Sequence, residues 1–219
     1  QALSAMADGF AVAFLDEALE LRAAGIRNPV VLLEGVFAGA ELALAARHGL
    51  WPVVHHEAQL RMIESTALAD PLKVWLKVNS GMNRAGFVDT EVAAAWQRLR
   101  ATGKVAEITL MSHFARADEA QEPTTPAQIA CFDAATHGLH GAHSLANSSA
   151  ILAWPQAHRD WARPGILLYG ADPMPDEGNG LLPVMSLESE VIAVREIEAG
   201  AALGYGGRFV ASARTRVGL

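Results

Sequence analysis

Cysteine is almost missing from this chain. Cys131 stands alone in 219 residues, so no internal disulfide can form and a reducing cytoplasm is the expected setting. No base partner is evident near it in the sequence, which reads Cys131 as a small core side chain rather than a nucleophile. Long apolar runs are missing too: no stretch reaches the ~18 consecutive apolar residues of a membrane span. The opening "QALSAMADGFAVAFLDEALE" lacks the basic start of a secretory signal and carries acids where its apolar stretch would lie. It also lacks an initiator methionine and begins inside a structural pattern, as though an element preceded it. Positive charge is in deficit, with 17 Lys and Arg against 24 Asp and Glu, which argues against nucleic acid and anionic membrane as partners. What the chain does have is apolar content: at 51% hydrophobic and 19% charged it can bury a sizeable core.

Short β-rich runs alternate with helical patterns. "GFAVAF" (9–14) leads into "LDEALELRAAG", whose apolar spacing is helical and which stops at Gly25, a C-cap signal. Further strand-like runs fall at 29–35, 51–56, 73–79, 108–114 and 142–148, each followed by a helical stretch. The last is "RPGILLYG" (163–170), an apolar run that reads as a buried strand. Seven such units predict parallel strands covered on both faces, either a doubly wound open sheet or a (β/α)8 barrel. No Gly-rich phosphate fingerprint follows the first strand, whereas Glu34, His55, Lys77, His113 and Asn147 sit at strand ends, where barrels build their sites. A barrel needs eight strands; either one is miscounted or one is lost at the N-terminus. After Gly170 comes a loop, "DPMPDEGNG" (172–180), and then "PVMSLESEVIAVREI" alternates with period two, as half-buried antiparallel strands do. The expected organisation is a barrel-type domain over 1–174 and an unfinished β-domain over 175–219.

The residues suited to chemistry have bland readings as well. Lys77 lies inside an apolar strand. It is either a snorkelling lysine or a buried cation that needs an acidic partner or a change of chemical state. Arg84 follows in "SGMNRAG", a loop with two glycines that lets backbone and guanidinium approach an oxyanion. His113 closes a strand, and neither it nor His55 and His56 has a second ligand at metal spacing, so no metal is expected. Asn147 and Ser148 precede a helix, an ordinary N-cap that also suits a phosphate. With Arg163 and the amides of Gly165 and Ile166 they suggest a phosphate pocket. Tyr205, in "GYGGRF", is by itself a turn tyrosine.

Taken in order, "KVNSGMNRAGF", "SHFARADE", "SLANSSA", "RPGILLYG", "PVMSLESEVI" and "GYGGRFVA" resemble the successive motifs of bacterial alanine racemases, and "DGFAVAFLDEALELRAAGI" resembles their catabolic branch. The resemblance runs along essentially the whole chain. It implies a pyridoxal 5′-phosphate (PLP) enzyme with an N-terminal (β/α)8 barrel and a C-terminal β-domain. The enzyme would interconvert L- and D-alanine for cell-wall synthesis or alanine catabolism, as a head-to-tail homodimer. Arg163 then matches the arginine on the PLP ring nitrogen, with Ser148, Asn147, Gly165 and Ile166 around the phosphate. Arg84 matches the contact to the phenolic oxygen and the substrate carboxylate, and Lys77 matches a lysine often carbamylated. Tyr205 matches the catalytic base for the L-enantiomer, acting across the dimer, and His113 the histidine that orients it.

The second base in that family is the Schiff-base lysine of a "KANAYGHG"-like motif on the first barrel strand. That motif is absent here; it would lie before Gln1, and the resemblance implies that these 219 residues alone do not racemise. Two departures stand out: Asn79 where Asp is usual, and Ser144 where many members have the histidine that supports the pyridine arginine, which leaves Arg163 to other partners. A broad-specificity amino-acid racemase of the same fold and a non-catalytic PLP-binding barrel are the alternatives. "GYGGRF" counts against the second, because single-domain PLP carriers lack that domain.

Overall fold

The short apolar runs pair in their order along the chain. The computed structural model describes residues 2–175 and 178–219; residues 1, 176 and 177, the last two within the loop expected over 172–180, lie outside the described residues. Strands β1 (Phe10–Val12), β2 (Val30–Leu32), β3 (Leu50–Val54), β4 (Leu72–Lys77), β5 (Val105–Met111) and β6 (His143–Ser144) form one sheet in sequential order, every neighbouring pair parallel. Between them run α1 (Leu15–Ala23), α2 (Gly39–Arg47), α3 (Glu57–Ser65), α4 (Asp89–Ala101) and α5 (Thr124–Ala135), and α6 (Ser148–Ala153) follows β6. The starts of α1 and α2 are satisfied by acids of their first turns. The Glu17 carboxylate accepts from the Ala13 and Phe14 amides at 2.8 Å, and Glu41 does the same for Phe37 and Ala38. After α1, Gly25 takes φ +84°, the left-handed cap its position requires.

The face the helices cover decides between the two architectures. On one face Val30, Leu32, Leu50, Val54, Val74, Leu76 and Leu110 pack with Ala18, Leu42, Leu60, Leu99, Phe132 and Ala150, one from each helix. The opposite face carries Val31, Val53, Trp75 and Met111, with Trp51 and Trp161 against them and no helix residue. There the Trp161 ring meets Trp51 edge-on at 5.8 Å and Trp75 at 5.9 Å between centroids. A doubly wound sheet has helices on both faces; a barrel has them outside and side chains inside. The first unit is therefore a partial (β/α) barrel.

The seventh expected strand does not form. Residues 161–163 run beside β6 as a strand would: Trp161 N–H donates to the His143 carbonyl (3.1 Å) and Arg163 N–H to that of Ala146 (3.0 Å). The next N–H that alternation would aim at β6 is that of Gly165, and it turns back onto the Arg163 carbonyl (2.9 Å) instead. The apolar residues behind it close into a 3₁₀ turn, Ile166–Tyr169, ended by Gly170 at φ +71°. Ile166, Leu168 and Tyr169 are exposed, not buried.

The chain divides into two compact units, one ending at Leu182 and the other Pro183–Leu219. In the second, β7 (Val194–Ile197) pairs antiparallel with β10 (Thr215–Gly218), and β8 (Ala202–Leu203) with β9 (Phe209–Val210). The alternating run at 183–197 is strand only over its last four residues, paired with β10, and Ile192 and Ala193 just before them exchange backbone bonds with Leu219 (2.8 and 2.9 Å). Leu187, Val191 and Ile192, expected half-buried, are exposed. Among the described residues no helix is long and apolar enough to cross a membrane.

Candidate active site

Parallel strands end on one side of their sheet, and there the expected polar residues gather: Glu34 after β2, His55 after β3, Lys77 closing β4, His113 after β5 and Asn147 after β6. The loop from β4 to α4 folds onto itself around Asn79. The Asn79 Oδ1 accepts from the Gly81 and Asn83 amides (3.2 and 3.0 Å), while its Nδ2 donates to Asn83 Oδ1 (3.1 Å), a bond that an aspartate could not make. Asn79 N–H donates to the Phe87 carbonyl and Phe87 N–H to that of Lys77, both at 2.9 Å, which closes the loop. Arg84, on this loop, is exposed and donates to no acceptor among the described residues.

A narrow cleft between these loops is lined by Lys77, Asn79, Met82, Arg84, Ser112 and His113. Its electrostatics are one-sided. Burial, and then the charges of Arg163, Arg84 and Lys77, push His113 down to about 4, so the ring is neutral at pH 7. Burial also lowers the Lys77 ammonium, Arg84 and Arg163 lower it further, and the Glu34 carboxylate opposes them. Three cations around a neutral imidazole make a place for an anionic ligand.

Arg163 is the buried member. Desolvation draws its guanidinium down to about 10, still charged at pH 7. Its Nη1 donates to Ser144 Oγ, and its Nη2 to the carbonyls of Ser112 (2.6 Å) and Leu145 (3.2 Å). The expectation that Ser144 leaves Arg163 to other partners is thus corrected: at the end of β6 its hydroxyl accepts from Arg163 and donates onward to the Trp161 carbonyl (3.0 Å). Ser112 Oγ donates to the Val78 carbonyl (2.9 Å), so at its 2.6 Å contact with Ser80 Oγ the Ser80 hydroxyl is the donor. Among the described residues every hydrogen-bond partner of the guanidinium is neutral. Of five N–H donors, three are used, leaving Nε–H and one Nη1–H for a ligand acceptor.

At the next strand end Asn147 caps α6, its Oδ1 accepting from Ala150 N–H (3.1 Å). Ser148 is buried, and its Oγ accepts from Leu167 N–H at 3.4 Å, which keeps its own proton free to donate. Gly165 N–H is turned onto the Arg163 carbonyl (2.9 Å), whereas Ile166 N–H meets no acceptor among the described residues. Tyr205 belongs to the second unit, where it is fully exposed in a 3₁₀ turn with Gly204 and Gly206 at positive φ. Among the described residues no three His, Cys, Asp or Glu side chains converge as metal ligands.

Two glutamines that sequence reasoning passed over hold this rim. Gln59, buried on α3, donates from Nε2 to the Glu34 carbonyl (2.9 Å) and accepts from His55 N–H (2.9 Å). Gln128, buried on α5, accepts from Ala115 N–H (3.0 Å) and donates to the His113 carbonyl (3.2 Å). The signal was their place in an apolar stripe: Gln59 with Leu60 and Ile63, Gln128 with Ile129 and Phe132.

Comparison with known proteins adds what geometry alone does not. The chain matches the alanine racemase N-terminal domain over residues 1–173 and the alanine racemase C-terminal domain over 184–219. It is 72% identical to an alanine racemase of Azoarcus sp. and 54% identical to the catabolic alanine racemase of Pseudomonas aeruginosa, each alignment taking in all of this chain and 62% of the relative. The biosynthetic alanine racemase of Pseudomonas aeruginosa superposes with a TM-score of 0.92 at 43% identity, over 99% of this chain and 62% of that one. The alanine racemase of Bartonella henselae, solved with covalently bound pyridoxal phosphate, gives 0.80 at 25% identity, over 98% and 60%. The chain thus spans about 62% of the length of the curated relatives it matches. Motif order, half-barrel and domain matches agree, and the chain belongs to the alanine racemase family.

Proposed function

We propose that this protein is a pyridoxal-phosphate-dependent racemase acting on alanine, in the reducing cytoplasm that its lone Cys131 suits. One observation carries the reading: among the described residues Arg163 is a buried guanidinium held only by neutral acceptors, with two N–H groups left over. The donor set fits the cofactor. A guanidinium offers protons and accepts none, so the pyridine nitrogen it meets must be unprotonated. Ser148 Oγ–H and Ile166 N–H are free for a phosphate, on a frame built by the Asn147 cap and the turn at Gly165.

When bound, PLP supplies an electron sink that acidifies the Cα–H of an amino acid joined to it. Arg163 weakens that sink by leaving the ring nitrogen neutral, which restrains side reactions. Arg84, which has no acceptor among the described residues, fits the phenolic oxygen and the substrate carboxylate. Lys77 is a half-buried amine whose pKa is lowered, which favours reaction of the neutral amine with carbon dioxide, with loss of a proton, to leave a carbamate anion beside Arg84. Tyr205, exposed between glycines, is free to enter a neighbouring subunit's site in a head-to-tail dimer and take the proton of L-alanine, with His113 orienting its phenol. The lysine that would serve the opposite face is not among these residues.

The test is PLP binding, read by absorption, together with exchange of the alanine Cα proton in D₂O. The wild type for this test is a chain that carries these residues together with the Schiff-base lysine, and it is expected to bind PLP and exchange the proton. Arg163→Ala should weaken binding, and Tyr205→Phe should keep binding but lose exchange from L-alanine. Absence of PLP binding and exchange in the wild type refutes the reading.

A further inference from the structure

We infer that Gln128 is the positioning residue of this site, its carboxamide fixing from α5 the loop that presents His113. The inference rests on the rim being the functional site. Gln128 is 2% exposed and makes two bonds to one short stretch: its Oε1 accepts from Ala115 N–H at 3.0 Å, and its Nε2 donates to the His113 carbonyl at 3.2 Å. They bracket Phe114, itself buried, and so fix the backbone on both sides of it. The same side chain backs the opposite loop, since a Cβ placed on Gly81 would lie 3.5 Å from Gln128 Cγ. The two loops also meet at Ser80 and Ser112, whose hydroxyls are 2.6 Å apart. Gln128 therefore lies beneath a single assembly that carries Arg84 on one loop and His113 on the other.

The stripe it occupies, with Ile129 and Phe132, would be filled as well by a leucine or methionine. An amide there is costly to desolvate and is retained only because both its ends are bonded. What it secures is the setting of the His113 ring, faced by Lys77 from β4, Arg84 from the β4–α4 loop and Arg163 from beyond β6.

The experiment follows the His113 imidazole by NMR titration, without cofactor, in the wild type, in Gln128→Met and in Gln128→Glu, with His113→Gln identifying the signal. Methionine keeps the length and removes both bonds; glutamate keeps the bond from Ala115 and cannot, when ionised, donate to the His113 carbonyl. His113 in the wild type should stay neutral to about pH 4. In either variant it should take up a proton at least tenfold more readily, while the other histidines keep their curves. A folded Gln128→Met with an unmoved His113 curve overturns the inference. If that variant does not fold, Gln128→Glu decides in the same way, and failure of both to fold makes Gln128 a residue of the fold alone, which also overturns it. The readout needs no PLP, so loss of the cofactor reading and loss of this one are separate results.

Discussion

Arg163 illustrates what a buried cation requires. No carboxylate among the described residues pairs with it, so its stability depends on acceptor geometry, and Ser144 supplies one acceptor while anchoring itself to the Trp161 carbonyl. Replacing Ser144 with Ala leaves a guanidinium N–H and a carbonyl short of a partner. The expected cost is about 1–3 kcal/mol, read as a lower urea midpoint at unchanged m; an unmoved midpoint would remove Ser144 from the orienting set. His113 makes a second prediction, with a definite sign. Its folded pKa is about 4 against 6.5 for the free group. Between those values the unfolded chain binds a proton that the folded chain refuses, so stability falls as pH drops from about 6.5 toward 4 and this group adds no further loss below. His113→Gln should flatten that part of the wild-type curve, as the difference between the two urea-midpoint profiles. Parallel profiles would mean that the ring is not desolvated.

Among the elements, the strands and helices of the first unit were largely legible, because continuous apolar runs and helical stripes are what a covered parallel strand and its crossover helix need. The failures have physical causes. Ile166–Tyr169 looked like a strand by composition, but a strand is held by its ladder, and this one ends at Arg163, whose carbonyl takes back the Gly165 N–H. Gln59 and Gln128 are marked in the sequence only by their place in an apolar stripe, which places them inside without saying what they bond, and the loop carbonyls they meet give the reason. Ser144 was noticed as a departure and given no role, since its bond to Arg163 spans 19 positions. The β4–α4 connection was seen as glycine-rich, and the structure gives one of its glycines a strict reason. At φ +117°, a Cβ on Gly86 would fall 2.7 Å from the Asn79 nitrogen and 2.9 Å from the Val78 carbonyl carbon, both rigid backbone. Gly86→Ala should therefore destabilise by roughly 2–3 kcal/mol through strain and a displaced loop, measured by thermal melting, and should weaken ligand binding at Arg84 in step. A neutral Gly86→Ala would mean that this loop is free to open.

For the molecule as a whole, the charge balance and the site point in opposite directions. The formal net charge is −7, yet the rim assembles Lys77, Arg84 and Arg163 around a neutral imidazole with the Glu34 carboxylate opposing them. A chain repelling anions overall can still hold one where local cations are partly desolvated, because screening by solvent and salt is weakest there. The two scales separate by experiment. Binding of pyridoxal phosphate should weaken several-fold as salt rises from roughly 20 to 500 mM, where the Debye length contracts from about 20 Å to about 4 Å, whereas pyridoxal, which lacks the phosphate, should respond little. Arg84→Ala and Asp8→Asn each change the formal charge by a single unit in opposite directions. If the local cations set the affinity, Arg84→Ala should lower both the affinity and its salt dependence, and Asp8→Asn should leave both where they were. If the salt dependence instead followed net charge, with Asp8→Asn strengthening binding as much as Arg84→Ala weakened it, the rim would be an incidental cluster and the anion-binding argument would fail at its base.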